Sequence, residues 1–202
     1  MTTLLLTRHG ENDFLKTHRM PGQLPGIHLN DIGRAQAEAV AKMLKDLPIK
    51  AIYASPLERA VETAEPLARA KKLEIQLVDT LKDTDIGKWQ GRSLKALSRL
   101  KYWKVVQFSP ARVKFPEGET FYQTQMRVVQ ALDEICQNHK KDVVAVVMHA
   151  DPIKLAVAHY IGLPLDHFQR LRVDPASITT LEVSEMGARL VGLNHKPPQG
   201  SG

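Results

Sequence analysis

Leu4-Leu5-Leu6-Thr7-Arg8-His9-Gly10-Glu11 is the stretch on which the reading of this chain turns. An apolar run ends abruptly in a cation, an imidazole and a glycine. Leu4 to Leu6 reads as a buried strand, and Arg8 to Glu11 as the loop at its carboxyl end. Open α/β sheets bind ligands outside the carboxyl ends of their strands. The loop therefore points to an anionic substrate meeting a nucleophile. Alone, an Arg-His-Gly tripeptide reads more simply as a polar turn after a strand. The remaining residues must supply the partners that make it a site.

Working outward, Thr2 to Thr7 is the first strand. A polar loop follows, with turns at Pro21-Gly22 and Pro25-Gly26. Asn30 caps a helix through Ala35, Ala37, Val40, Ala41 and Leu44, and Pro48 ends it. Ile49 to Ala54 is a second strand. Ser55-Pro56-Leu57-Glu58 then predicts a helix start, with Ser55 as cap, Pro56 at the first position and Glu58 closing a capping box. That helix runs to about Ala70.

Glu74 to Val78 is a third strand, and Asp79 to Arg92 an irregular loop. Ser93 to Leu100 is a short helix. Residues 101–118 show no clear period and read as a lid insertion. Glu119 to Lys140 is a long helix, and the β-branched run Val143 to Met148 a central strand. Asp151-Pro152 starts a helix ending at Ile161. Ile178 to Ser184 and Arg189 to Leu193 form an antiparallel pair. Strands alternating with helices predict an α/β fold: three layers, a mainly parallel central sheet with helices on both faces, and a small lid. The expected organisation is one domain over residues 1–195 with a flexible tail at 196–202.

The net charge of +6 fits nucleic acid, a membrane surface or a phosphorylated substrate. No run of five or six like charges and no aromatic-basic interleaving occurs, which argues against nucleic acid. No apolar stretch approaches the length of a membrane span, and Met1 to Leu6 is too short for a signal peptide. The expected partner is a small phosphorylated molecule, the expected location cytoplasmic, and the oligomeric state stays open. Cys136 is the only cysteine, which excludes an intramolecular disulfide and a multi-cysteine zinc site. It lies in an apolar helical pattern and reads as a packing residue.

Three strand ends carry polar groups: Arg8 and His9 after the first, Arg59 one turn into the helix after the second, and His149 after the central one. Parallel strands put these ends on one edge. Two arginines and two histidines around one volume suit phosphate. Arginine matches phosphate oxygens bidentately, and a neutral imidazole nitrogen can attack phosphorus.

The ordered motifs Thr7-Arg8-His9-Gly10-Glu11, Leu29 to Ala37, Ser55 to Ala64, Asp85 to Gly91 and Pro116 to Thr120, with His149 after its strand, resemble the histidine phosphatase superfamily, in its phosphoglycerate mutase-like branch. The resemblance spans Leu4 to Leu193. It implies that His9 is the nucleophile taking the phosphoryl group, that Arg8, Arg59 and His149 bind the phosphate, and that Asp83 protonates the leaving group. No metal and no organic cofactor is implied.

Three departures from the family pattern stand out. The acid position holds Asp83 where the family usually has glutamate, with Asp85 as a competitor; spacing to Gly87 favours Asp83. Leu15 stands where relatives often have asparagine. His149-Ala150-Asp151 replaces a common His-Gly, with Asp151 read as a helix cap. Arg19, Lys16 and Lys114 are candidates for the pocket mouth but read as solvated charge. Tyr102, Trp103, Phe108 and Phe115 are candidates for a lid that selects the substrate, while His18, His28, His139, His159, His167 and His195 read as surface or packing residues. Three functions compete: a phosphatase on a small phosphomonoester, a mutase returning the phosphoryl group to its substrate, and a non-catalytic phospho-ligand module.

Overall fold

Leu4 and Leu6 are wholly buried in β1 (Thr2–Arg8), at the centre of a six-stranded sheet. The computed structural model describes residues 1–197. β1 pairs in parallel with β4 (Val143–Met148) and antiparallel with β5 (Ile178–Ser184). β4 pairs in parallel with β2 (Ile49–Ala54), β2 in parallel with β3 (Ile75–Leu77), and β5 antiparallel with β6 (Gly187–His195). The order is β3-β2-β4-β1-β5-β6, a mainly parallel sheet with an antiparallel edge.

The strand period of two divides the apolar run of β4 between two cores. Val144, Val146 and Met148 join Leu4, Leu6 and Tyr53 against α6 (Phe121–Asn138) and α7 (Ala150–Tyr160). Ala145 and Val147 join Leu5, Ile52 and Ala54 against α2 (Asp31–Leu44) and α3 (Glu58–Lys71). Helices on both faces complete the three layers. A third, aromatic core holds Trp89, Phe115, Phe121 and Phe168 beneath the segment that follows β3.

The sheet sets the site. His9 N donates to Met148 O at 2.9 Å, and Ser55 N donates to Val147 O at 2.9 Å. The ends of β1, β2 and β4 are thus laced together on one edge.

Several boundaries differ from the sequence reading, each for a local reason. Arg8 is the last residue of β1 rather than part of the loop, because its register continues to Met148. Ser55 does not cap α3: the helix starts at Glu58 with Leu57 in the cap position and no side-chain cap. Ser55 is still tied to the sheet, and its hydroxyl is used elsewhere. Asp151 does not cap α7; His149 occupies that position, and Asp151 sits in the first turn, 2.7 Å from Lys154 Nζ. α6 starts at Phe121 rather than Glu119, with Thr120 as its cap in a capping box with Gln123. An unforeseen α1 (Asp13–Lys16) is capped by Asn12, which accepts from Leu15 N at 2.9 Å.

The short helix expected at Ser93 to Leu100 is α4 (Leu94–Leu97), capped by Ser93. Residues 101–118 contain α5 (Lys101–Phe108), whose Val106 is buried. Its apolar stripe is two turns long and stops at Ser109-Pro110, too short to show a period in the sequence. Trp103 stacks on Trp89 with centroids 6.0 Å apart. Of the segment expected as a tail, Lys196 Nζ lies 2.7 Å from Asp174, while residues 198–202 lie outside the described residues.

Candidate active site

His9 leaves the end of β1 buried, and its Nδ1 lies 2.7 Å from Gly10 O. A carbonyl only accepts, so the neutral ring carries its proton on Nδ1 and keeps a lone pair on Nε2. The Gly10 peptide is itself fixed, because Gly10 N donates to Thr63 Oγ1 at 3.0 Å and Thr63 Oγ1 donates to Arg59 O at 2.7 Å. The start of α3 therefore holds the loop carrying the imidazole. The His149 ring stands 5.2 Å from that of His9, tilted by 60°.

Arg59 is wholly buried. Its Nη2 donates to Gly22 O at 2.6 Å and lies 3.6 Å from Asp83 Oδ2. Arg8 Nη1 donates to Val173 O at 2.7 Å. Among the described residues, Arg8 Nε, Arg59 Nε and Nη1, Asn12 Nδ2 and His149 Nδ1 are buried without a hydrogen-bond partner. Leaving charged donors buried and unpaired is costly. Of these groups Arg8, Arg59 and His149 lie close to His9, and their free donors match what an anion with several acceptor oxygens would satisfy.

Burial, with Arg59 and Arg8 close by, pushes the His9 imidazole well below its ordinary pKa. Burial and then Arg59, His9 and Arg8 do the same to His149. Both rings are therefore neutral at neutral pH. Burial raises Asp83 to about 6, with Asp151 adding to the rise and Arg59 opposing it. A neutral imidazole beside a carboxyl poised near neutrality is the pairing that nucleophilic attack with acid assistance needs.

The two candidate carboxyls are separated by the fold. Asp83 borders the same cavity as Arg8 and His9, and its Oδ2 stands 3.8 Å from His149 Nδ1. Asp85 Oδ1 accepts from Gly87 N at 2.9 Å, closing the turn, and it does not line that cavity. Arg127 anchors the strand-to-turn segment. Its guanidinium donates to the carbonyls of Thr80, Lys82 and Asp83 and pairs with Glu119 at 2.6 Å.

The cavity measures about 150 Å³, and beside Arg8, His9 and Asp83 its walls include Leu15, Arg19, Met20, Ile86, Leu94 and Asp151. Of these, the sequence reading had raised Arg19 as a candidate and had taken Asp151 for a cap. Tyr102, Trp103, Phe108 and Phe115 do not line it: Trp103 and Phe115 pack on Trp89, and Phe108 is 77% exposed. Leu15, where relatives often have asparagine, lines this cavity. Ser55 and Thr63, both in contact with site groups, were read only as helix residues. Among the described residues, no three His, Cys, Asp or Glu side chains are grouped closely enough to hold a metal ion. Burial pushes the Cys136 thiol up to about 12, so it is protonated and no nucleophile.

The family model of the histidine phosphatase superfamily (branch 1) matches residues 4–196. Phosphoserine phosphatase 1 of Hydrogenobacter thermophilus is 30% identical over 197 residues, covering 96% of this chain and 92% of that protein. A probable phosphoglycerate mutase GpmB of Erwinia tasmaniensis is 29% identical over 184 residues, covering 90% and 85%. The structure of mycobacterial glucosyl-3-phosphoglycerate phosphatase Rv2419c with VO3 matches with a TM-score of 0.89 at 26% identity, covering 96% of this chain and 99% of that one.

Proposed function

The chain belongs to the histidine phosphatase superfamily, and from that premise we propose that it hydrolyses a small phosphomonoester through a phosphohistidine on His9. The observation that carries the proposal is the set of buried, unpartnered nitrogens of Arg8, Arg59 and His149 close to a neutral His9; Arg8, His9 and Asp83 line one cavity, and Arg59 and His149 do not line it but lie 3.6 and 3.8 Å from Asp83 Oδ2. His9 Nε2 attacks phosphorus while the bond to the leaving oxygen breaks, and Asp83 gives that oxygen its proton. Nδ1–H stays on Gly10 O and stabilises the phosphorylated ring. Arg8, Arg59 and His149 hold the equatorial oxygens, where transition-state charge collects. Asp83 carboxylate then takes a proton from water, the water oxygen bonds to phosphorus, and the P–N bond breaks.

A cavity of about 150 Å³ favours a small leaving group over a nucleotide or an extended sugar. Relatives named phosphoserine phosphatase and glucosyl-3-phosphoglycerate phosphatase support hydrolysis. The relative named a probable phosphoglycerate mutase supports the second reading, return of the phosphoryl group to a substrate. Phosphate release measured over a panel of small phosphomonoesters decides between them. Hydrolysis predicts stoichiometric phosphate and an acid-labile phosphoenzyme that His9→Ala abolishes. Interconversion of phosphoglycerate isomers without phosphate release would overturn the proposal in favour of the mutase. Binding of phosphomonoesters with no turnover would leave the non-catalytic module.

A further inference from the structure

We propose that Ser55 is a positioning residue: its hydroxyl holds His149 in the tautomer with the proton on Nδ1, so that the ring meets the phosphoryl group as a neutral hydrogen-bond donor. The tautomer is assigned from the hydrogen-bond network. Ser55 Oγ lies 2.9 Å from His149 Nε2, and both side chains are wholly buried. Ser55 cannot drift, because its backbone N is bonded to Val147 O at the end of the sheet. The only other contact of its Oγ among the described residues is Leu57 N, which donates to it at 3.4 Å.

A hydroxyl has one proton and two lone pairs. Leu57 N uses a lone pair, so the proton needs an acceptor, and His149 Nε2 is the acceptor within reach. Nε2 therefore accepts, and Nδ1 carries the ring proton. The opposite tautomer would strand the buried Ser55 proton. It would also aim the Nδ1 lone pair at Asp83 Oδ2, 3.8 Å away, and at any bound phosphate oxygen, which repels it. The two neighbouring histidines, 5.2 Å apart, then differ in their free ring nitrogen: His9 keeps a lone pair on Nε2, while His149 carries an N–H on Nδ1, the nitrogen 3.8 Å from Asp83 Oδ2. The consequence for catalysis rests on the proposed function, but the tautomer does not.

The test is long-range 1H–15N NMR on 15N-histidine-labelled protein at neutral pH in phosphate-free buffer, with His149 assigned from the His149→Gln spectrum. The expected result is an unprotonated, pyridine-type Nε2 and a protonated, pyrrole-type Nδ1. In Ser55→Ala the two signals should move toward a tautomer mixture, and Ser55→Thr should restore them. A pyrrole-type Nε2 in the wild type overturns the proposal even if no variant folds. So does a Ser55→Ala spectrum unchanged at His149. Binding of inorganic vanadate should weaken about 10- to 100-fold in Ser55→Ala and recover in Ser55→Thr, the scale seen where groups orienting metal-bound histidines are removed. If no phosphomonoester is turned over, the proposed function fails while these two measurements still decide the part played by Ser55.

Discussion

At the scale of single residues, the proposed mechanism rests most on Asp83. Its carboxyl, raised to about 6 mainly by burial, has to be protonated to assist a leaving alcohol. kcat/KM for an alkyl phosphomonoester should therefore fall as pH rises through about 6, as a pH–rate profile would show. Asp83→Asn should lower kcat by about 10²- to 10⁴-fold and abolish that falling limb. The loss should be small with an aryl phosphate whose leaving oxygen needs no proton; an equal loss on both substrates would contradict the acid role. Arg59 is the first group that opposes the rise at Asp83. Arg59→Met should accordingly move the limb to higher pH while raising KM for substrate. The sequence already offered His9, Arg8, Arg59 and His149 through their order after strands. It favoured Asp83 over Asp85, two residues apart in one loop, only through the spacing to Gly87. The difference lies in what the Asp85 carboxylate touches, which is Gly87 N. Ser55 was hidden for a similar reason: serine before proline is a sound local helix signal, and only its neighbour across the sheet claims the hydroxyl.

Among the elements, the segment between β3 and α6 is the one whose geometry holds Asp83, the proposed acid. Gly87 has a φ of +50°, and a Cβ there would lie 2.0 Å from Pro116 O. Alanine at a positive φ against backbone costs more than about 1 kcal/mol, so Gly87→Ala should lower the urea midpoint. It should also reduce kcat, because the turn it deforms carries Asp83 four residues earlier. Arg127 fixes the same segment from α6 through three carbonyls, including that of Asp83. Arg127→Ala should lower kcat with little change in KM, since it touches neither the cavity nor the substrate; a change confined to KM would argue that the segment binds instead. The long, strongly periodic helices were legible in the sequence. The two-turn α5 and one-turn α1 were not, because a stripe that short carries no repeat.

For the whole molecule, burying ionisable groups at the joined strand ends links the site to stability. His9 and His149 have pKa values lowered well below the ordinary range. Below about pH 6.5 the unfolded chain takes up protons on them that the folded state does not. Stability from these two groups is thus present at neutral pH and lost as pH falls. Asp83 runs the other way: raised to about 6, it favours the fold below the unfolded carboxyl range and loses that contribution as pH rises through about 6. Over this interval two imidazoles thus oppose one carboxyl. The urea midpoint should be higher at about pH 7 than at about pH 5, and His149→Gln should flatten the difference. A midpoint that falls from the lower to the higher pH would reverse the assigned shifts. Among the described residues no helix is long and apolar enough to cross a membrane.

By itself the sequence determined the layered α/β architecture, since its apolar runs could be buried only as central strands flanked by amphipathic helices. It also determined the order of the cations and imidazoles, because residues next to a strand's carboxyl end inherit the sheet edge. Only the tertiary structure decided which carboxyl borders the cavity, which hydroxyl meets His149, and which side chains line the cavity. Those choices depend on groups brought together from distant parts of the chain: Ser55 and His149 are 94 residues apart, and Asp83 and Arg127 are 44. Local periodicity records which face of an element is buried, but not which partner waits on the other side.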